Sequence, residues 1–269
     1  MTYTRLTLRG TAEFEGLGLH GGNPVKVRVH PASEGITFRA GSQKWAATPK
    51  NVSDTTRCTR LGEISTIEHL MSALAGLEIT DADVEVEGGE IPALDGSSEG
   101  FVEGLVAAGL EAVGQNEVHP PFKRVFVQED GYSIAIGKGE GHWKYTYDLG
   151  DRWPKTQTFE SRNVPLEYSK AIAPARTFAL VEEIPVVLQM GLARGLDQDK
   201  ALVLGIEGYK NDARFEDEPA RHKLLDLIGD LYLSGVPVRF LNVAAEKSGH
   251  SSNVKAANLL RQSIQANSA

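Results

Sequence analysis

Cysteine is nearly absent. Cys58 stands alone among 269 residues, which excludes an intrachain disulfide and any cysteine-based zinc knuckle. Long apolar runs are missing too: none approaches the roughly 20 residues a helix needs to span a bilayer, so no transmembrane segment is expected. The opening stretch MTYTRLTLRGTAEF lacks the apolar core of a secretory signal and the Arg/Ser-rich character of a transit peptide, so a cytoplasmic setting is expected. Positive charge is in deficit, with 28 Lys and Arg against 36 Asp and Glu and a net charge of −8. No basic run is long enough to track phosphates, which argues against generic nucleic-acid binding. What remains is the composition of a globular protein, 41% hydrophobic and 24% charged, long enough for one large domain or two small ones with real cores.

The first fifty residues read as strands. NPVKVRVHP alternates Val25, Val27 and Val29 with polar neighbours, and GITFRA follows after a turn. STIEHLMSALAGL at 65–77 reads as a helix, ITDADVEVEG as a strand and EGFVEGLVAAGL as a second helix. GQNEVHPPF at 114–122 has the Gly and Pro-Pro of a linker. Strand-like runs RVFVQED, YSIAIG and WKYTYDL come next, then a less regular stretch to about 214. A helix over 218–234, the strand VPVRFLNVA, the loop EKSGHSS and a last helix close the chain. His69 is followed at five and seven residues by Leu74 and Gly76, and His222 by Leu227 and Gly229. Ser97-Ser98 and Ser251-Ser252 then precede a helix in each half. The fold class expected is α+β, as two related domains over 1–117 and 118–269. A duplication of this kind would present the same helix twice to a shared cleft, a common place for a small-molecule site.

The second helix carries the sharper pattern. Pro219 suits a first turn, and Glu216, Asp217 and Glu218 suit the positive end of the helix dipole. Leu224, Leu225, Ile228, Leu231 and Tyr232 make an apolar stripe. His222 and Asp226 lie four apart on the other side, flanked by Lys223 and Asp230. A solvated polar face is the bland reading. The sharp one is chelation of a divalent metal by imidazole and carboxylate, with His69 the best-placed third ligand and a position left for water. Glu68 is read two ways. Ser65-Thr66-Ile67-Glu68 matches a capping box, in which Glu reaches back to the N-cap amide; the same carboxylate could instead take a proton from an activated water. His250, in a Gly- and Ser-rich loop, could protonate a leaving group, and Thr177 in PARTF could donate to an oxyanion. GKGEGHW at 137–143 is expected to be a hairpin turn. His30, His119 and His142 are expected at the surface, His20 stays ambiguous, and Cys58 reads as a small buried hydrophobe.

The stretches ISTIEHLMSALAGL, EIPALDGSS, ARTF, RFEDEPARHKLLDLIGDL and KSGHSSN, in this order and preceded by GLGLHGG, resemble the UDP-3-O-acyl-N-acetylglucosamine deacetylases, zinc amidases of lipid A synthesis. The resemblance implies that His69, His222 and Asp226 hold Zn2+, although two histidines and a carboxylate also suit Fe2+. It implies Glu68 as general base, His250 as a second acid/base and Thr177 as a hydroxyl beside the oxyanion. Lys223 and Asp230 match polar supports of the site, and Phe178 a substrate-contacting aromatic. The fold implied is a sheet–helices–sheet sandwich with the site between domains. The substrate implied is a UDP-linked acylated amino sugar, and a monomer with only peripheral membrane contact is expected. Around 191–203 the chain departs from the family, with Leu196 and Lys200 where small or amide residues are usual. That stretch builds part of the family's passage for the acyl chain, so acyl preference is left open. The competing readings are a related zinc amidohydrolase on another N-acyl sugar and a non-catalytic two-domain binding protein.

Overall fold

A computed structural model describes residues 1–118, 124–129 and 131–265. The first part of the chain runs β1 (Thr2–Leu8), β2 (Ala12–Leu17), β3 (Pro24–Pro31), β4 (Ile36–Ala40), β5 (Gln43–Ala46), β6 (Val52–Asp54) and β7 (Arg60–Leu61). Helix α1 (Glu68–Gly76), β8 (Ala82–Glu87), α2 (Glu99–Ala107) and β9 (Leu110–Glu117) follow. The second part runs β10 (Val125–Glu129), β11 (Tyr132–Lys138), β12 (Trp143–Asp148), β13 (Thr156–Ser161), α3 (Val164–Glu167), β14 (Phe178–Leu180), α4 (Ile184–Gln189) and β15 (Leu202–Leu204). It ends with α5 (Glu218–Tyr232), β16 (Leu241–Glu246) and α6 (His250–Gln265).

Two five-stranded sheets have the orders β2-β3-β8-β4-β5 and β10-β11-β16-β12-β13. They are one topology drawn twice. In each, the last strand inserts at the centre, antiparallel to the second (β8 on β3, β16 on β11) and parallel to the third (β8 on β4, β16 on β12). A helix precedes the central strand and another follows it, α1 and α2 in one half, α5 and α6 in the other. The repeat therefore extends well beyond the short His-Leu-Gly match. The insertion also corrects the reading of 137–143. That segment is no hairpin turn, because β16 lies between β11 and β12.

The alternation in β3 does what its period requires. Val25, Val27 and Val29 are buried, while Lys26, Arg28 and His30 face outward. One continuous apolar cluster runs from Val27 and Val84 of the first sheet through Leu70, Leu74, Leu225 and Ile228 to Val243 and Ala245 of the second. The helices thus fill the space between the sheets, and each buried leucine or isoleucine contributes about 1.5–3 kcal/mol relative to exposure. The stretch read as a linker is partly strand. Residues 114–117 belong to β9, which pairs antiparallel with β1 across a bulge at Arg5/Leu6; residues 119–122, and with them His119, lie outside the described residues. Strand β13 was not anticipated, since TQTF carries no clean alternation.

Helices α1 and α5 have almost no solvent face. All nine residues of α1 are buried, as are Glu218, His222, Asp226 and Asp230 of α5. The solvated-face reading fails on this point. Gly229 explains the approach: a Cβ there would collide with the Glu68 carbonyl oxygen, so α5 meets α1 backbone to backbone. Gly76, its match in the repeat, instead lies against the Tyr168 ring. The topology is duplicated, but this contact is not.

Candidate metal centre and active site

The close crossing at Gly229 brings the start of α1 beside the middle of α5. His69, His222 and Asp226 then meet, with one ligand atom from each lying within 4.8 Å of the others. His69 Nε2 and His222 Nε2 are 3.7 and 3.5 Å from Asp226 Oδ1. Ligands about 2.1 Å from one tetrahedral ion stand about 3.4 Å apart, so this donor set fits a single divalent cation. The tautomer of His222 is fixed by its neighbour. Nδ1 donates to the Ala175 carbonyl at 3.1 Å, which leaves the Nε2 lone pair free to bind metal. Burial drives the His222 imidazole down to about 3 despite the pull of Asp226, so it is neutral, as a ligand must be. Burial acts against the charge on Asp226, yet the Lys223 ammonium, aided by the His69 imidazole, outweighs it and holds the carboxyl well below its usual range. Lys223 Nζ donates to Asp226 Oδ2 at 3.0 Å, leaving Oδ1 turned to the two imidazoles.

Glu68 is not a helix cap. Its Oε2 accepts the Thr59 backbone N–H at 2.9 Å, whereas the Ser65 N–H goes to the Gly89 carbonyl. Thr66 sits at φ +63°, and α1 begins at Glu68 itself with no side-chain cap. The competing contact wins because Ser65 is already pinned beside Gly89. Burial raises the Glu68 carboxyl above its ordinary value, partly offset by His250 and His69. Its Oε1 faces His250 Nε2 at 3.9 Å, a long ion-pair separation beyond hydrogen-bond reach.

His250 opens α6 and points back at α5. Its Nδ1 is 3.0 Å from Asp230 Oδ2. Asp230, fully buried, also accepts from Thr59 Oγ1 at 2.6 Å and Asn253 Nδ2 at 3.0 Å. Burial disfavours the imidazolium, but the Asp230 and Glu68 carboxylates outweigh it and lift His250 to about 9. Two histidines of one cleft are thus pushed apart, His222 to the neutral form and His250 to the charged form. Such a split separates a ligand from a proton donor.

A cavity of 260 Å³ opens onto this cluster, and Thr177, Phe178 and Lys223 are on its wall. The Phe178 ring stands edge-on to His222 at 5.9 Å, and Lys223 Nζ lies 5.4 Å over its face. Every residue singled out from sequence as a ligand, acid, base or support therefore falls in one place, Asp230 just behind His250. Others were missed. His20, Arg57 and Glu183 also line the cleft, and Arg57 reaches Glu183 at 3.5 Å across its mouth. The glycine-flanked histidine of GLGLHGG was a usable signal for His20; Thr59 carried none. His30 and His142 sit outside the cleft, paired with Glu85 and Glu160. Cys58 is buried, and burial pushes its thiol up to about 12, so it behaves as a small hydrophobe.

The sequence profile of the UDP-3-O-acyl N-acetylglycosamine deacetylases matches residues 5–262. The chain belongs to this family. It is 35% identical to the UDP-3-O-acyl-N-acetylglucosamine deacetylase of Trichormus variabilis over 93% of this chain and 96% of that protein. It is 36% identical to the enzyme of that name from Citrifermentans bemidjiense over 93% of this chain and 86% of the other, and 32% identical to that of Leptospira biflexa over 98% and 91%. Family membership implies a catalytic metal, for which the His69, His222 and Asp226 triad is the group of fitting donors among the described residues.

A second, more apolar cavity of 490 Å³ adjoins the cleft. The two share Ala179, Val187, Ala193 and Leu196. Leu196, one of the two departures from the family pattern, thus stands at the junction. Lys200, the other, lines neither cavity and is paired with Asp197 at 2.6 Å.

Proposed function

We infer that this protein is a metal-dependent amide hydrolase that removes the N-acetyl group of UDP-3-O-acyl-N-acetylglucosamine, in lipid A biosynthesis. One observation carries the reading beyond family membership: a buried two-histidine, one-carboxylate triad faces a cleft that also holds a buried carboxylate and a charged imidazole. His69, His222 and Asp226 would hold Zn2+, with Fe2+ suiting the same donors. When bound, the ion supplies Lewis-acid polarisation of the amide carbonyl and lowers the pKa of a water to near 7.

The chain's own residues do the rest. Glu68, fixed by the Thr59 N–H, takes the proton of the attacking water. The Thr177 hydroxyl donates to the oxygen on which negative charge develops. His250, kept protonated by Asp230, gives its proton to the departing nitrogen, and the products are acetate and a free glucosamine amine. Lys223 balances the charge of Asp226 and, with Phe178, forms the substrate-facing wall. The 490 Å³ apolar cavity beside the cleft supports an O-acyl chain as the group accommodated there, with Leu196 setting the width of the entrance. Two domains over 1–117 and 118–269 are supported by the repeated sheet topology. The described helices include none long and apolar enough to cross a membrane. The setting we propose, from the activity, is a cytoplasmic monomer with only peripheral membrane contact.

The test is metal content together with turnover of the nucleotide substrate, wild type against His222→Ala. One divalent ion per chain and acetate release, both lost in the variant, are expected. Preference for an unacylated UDP-sugar would favour an amidohydrolase of another N-acyl sugar, and no stoichiometric metal after zinc supplementation would favour a binding protein.

A further inference from the structure

Glu90 lines neither cavity, yet it is 7% exposed and its carboxylate accepts three hydrogen bonds. The His20 N–H reaches Oε1 at 2.6 Å, the Gly21 N–H reaches Oε2 at 2.9 Å, and Thr66 Oγ1 reaches Oε1 at 3.1 Å. Its backbone is fixed as well, because Ser65 bridges the 89–91 segment: Ser65 N–H donates to the Gly89 carbonyl and Ile91 N–H to the Ser65 carbonyl. A carboxylate so placed is a rigid peg for the turn at 18–22.

That turn grips the second half of the chain. The Leu19 carbonyl accepts the Gly195 N–H at 3.1 Å and the His20 carbonyl accepts the Arg194 N–H at 3.2 Å. His20 Nδ1 stands 3.4 Å from the Ala193 N–H. Contact is backbone on backbone, since a Cβ at Gly195 would run into the Gly18 carbonyl oxygen. The segment held this way carries Ala193 and Leu196, which wall both the metal cleft and the apolar cavity. We propose that Glu90 is a positioning residue for substrate selection: through the His20 turn it clasps the 193–196 segment and sets the shape of the wall where the apolar part of the substrate lies. The proposal rests on the deacetylase reading for its substrate but not for its geometry. The hydrogen bonds of Glu90 go to His20, Gly21 and Thr66 and to none of the metal-binding side chains, so the metal triad is expected to survive Glu90→Gln.

Two readouts test it on the full-length, metal-loaded protein. Glu90→Gln keeps the shape but turns an amide NH2 toward one of the two backbone donors. Hydrogen exchange at the amides of 193–195 is expected to accelerate about tenfold or more, in line with loss of a charge-assisted bond. KM for the acylated nucleotide sugar is expected to rise about tenfold while kcat changes less than about threefold, with hydrolysis of the unacylated UDP-sugar and metal content unchanged. Gly195→Ala breaks the same clasp from the other side and should reproduce the split, and the double variant should be no worse than either single one. Unchanged exchange at 193–195 overturns the proposal, as does a loss in kcat alone, an equal defect on both substrates, or additive variants. Accelerated exchange in a protein whose wild type hydrolyses neither sugar would keep the clasp and remove the deacetylase reading instead.

Discussion

The two five-stranded sheets share a strand order, yet the halves that contain them contribute unequally to the site. From the first half come Glu68 and His69, both at the very start of α1, and the loop residues His20 and Arg57. From the second come His222, Asp226 and Asp230 along three turns of α5, then His250, Thr177, Phe178 and Lys223. The outward faces differ as well. On the first sheet Arg28, His30, Arg39 and Lys44 interlock with Glu13, Asp83, Glu85 and Glu87. On the second, Phe126, Ala135, Gly137 and Ala244 line a groove of 680 Å³ together with Lys144 and Glu160. The shared topology sets where helices sit relative to sheets in each half. The longer helix, α5 with 15 residues against nine in α1, carries more of the site's side chains.

If the second half supplies most of the site, most of the large effects should fall on α5 and α6. Replacing His222 by alanine removes a ligand, and both metal retention and acetate release should fall to background. His250→Ala should keep its metal but lose about 10²–10⁴ in kcat, the usual worth of a positioned acid; near-normal turnover would reject the role. The next effect is a displacement. His250 must be protonated to donate, so activity should decline as pH rises through about 9, where its proton is lost. Asp230→Asn removes the carboxylate that most favours that charge, so the alkaline limb should move to lower pH, measurable in a kcat/KM profile. Gly229→Ala tests the crossing itself: its Cβ meets the Glu68 carbonyl, and about 1–3 kcal/mol of stability should be lost in denaturant unfolding. Smallest of all, Glu85→Gln on the charged outer face should shift the denaturant midpoint least, and less still in high salt, because exposed pairs are screened. A larger cost there than at Gly229 would reverse the comparison.

Much of this was legible in the chain before any coordinates. The period of β3, the i, i+4 spacing of His222 and Asp226 and the Gly- and Ser-rich setting of His250 are local signals, and local geometry answers to them. What escaped reading depended on tertiary contacts. The polar face of α5 looked solvated because nothing local tells a surface helix from one whose polar side packs on another helix; Gly229 was the clue, visible only as part of a repeat. Glu68 satisfied a capping box on paper, but Ser65 was claimed by Gly89. The 137–143 turn looked like a hairpin because the strand that parts its neighbours arrives about a hundred residues later. Thr59 left no mark, and Glu90, although it opens EIPALDGSS, gave no sign of its role, since a carboxylate or hydroxyl that serves backbone amides and buried acids needs no pattern around it.

The most direct measurement is X-ray absorption at the metal edge of zinc-loaded protein, with Asp226→Ala alongside. A first shell of two imidazole nitrogens and a carboxylate oxygen, with solvent completing it, is the expected spectrum, and the variant should lose the ion or the carboxylate contribution. A wild-type shell without imidazole, or one unchanged by the substitution, would contradict the assignment of the site.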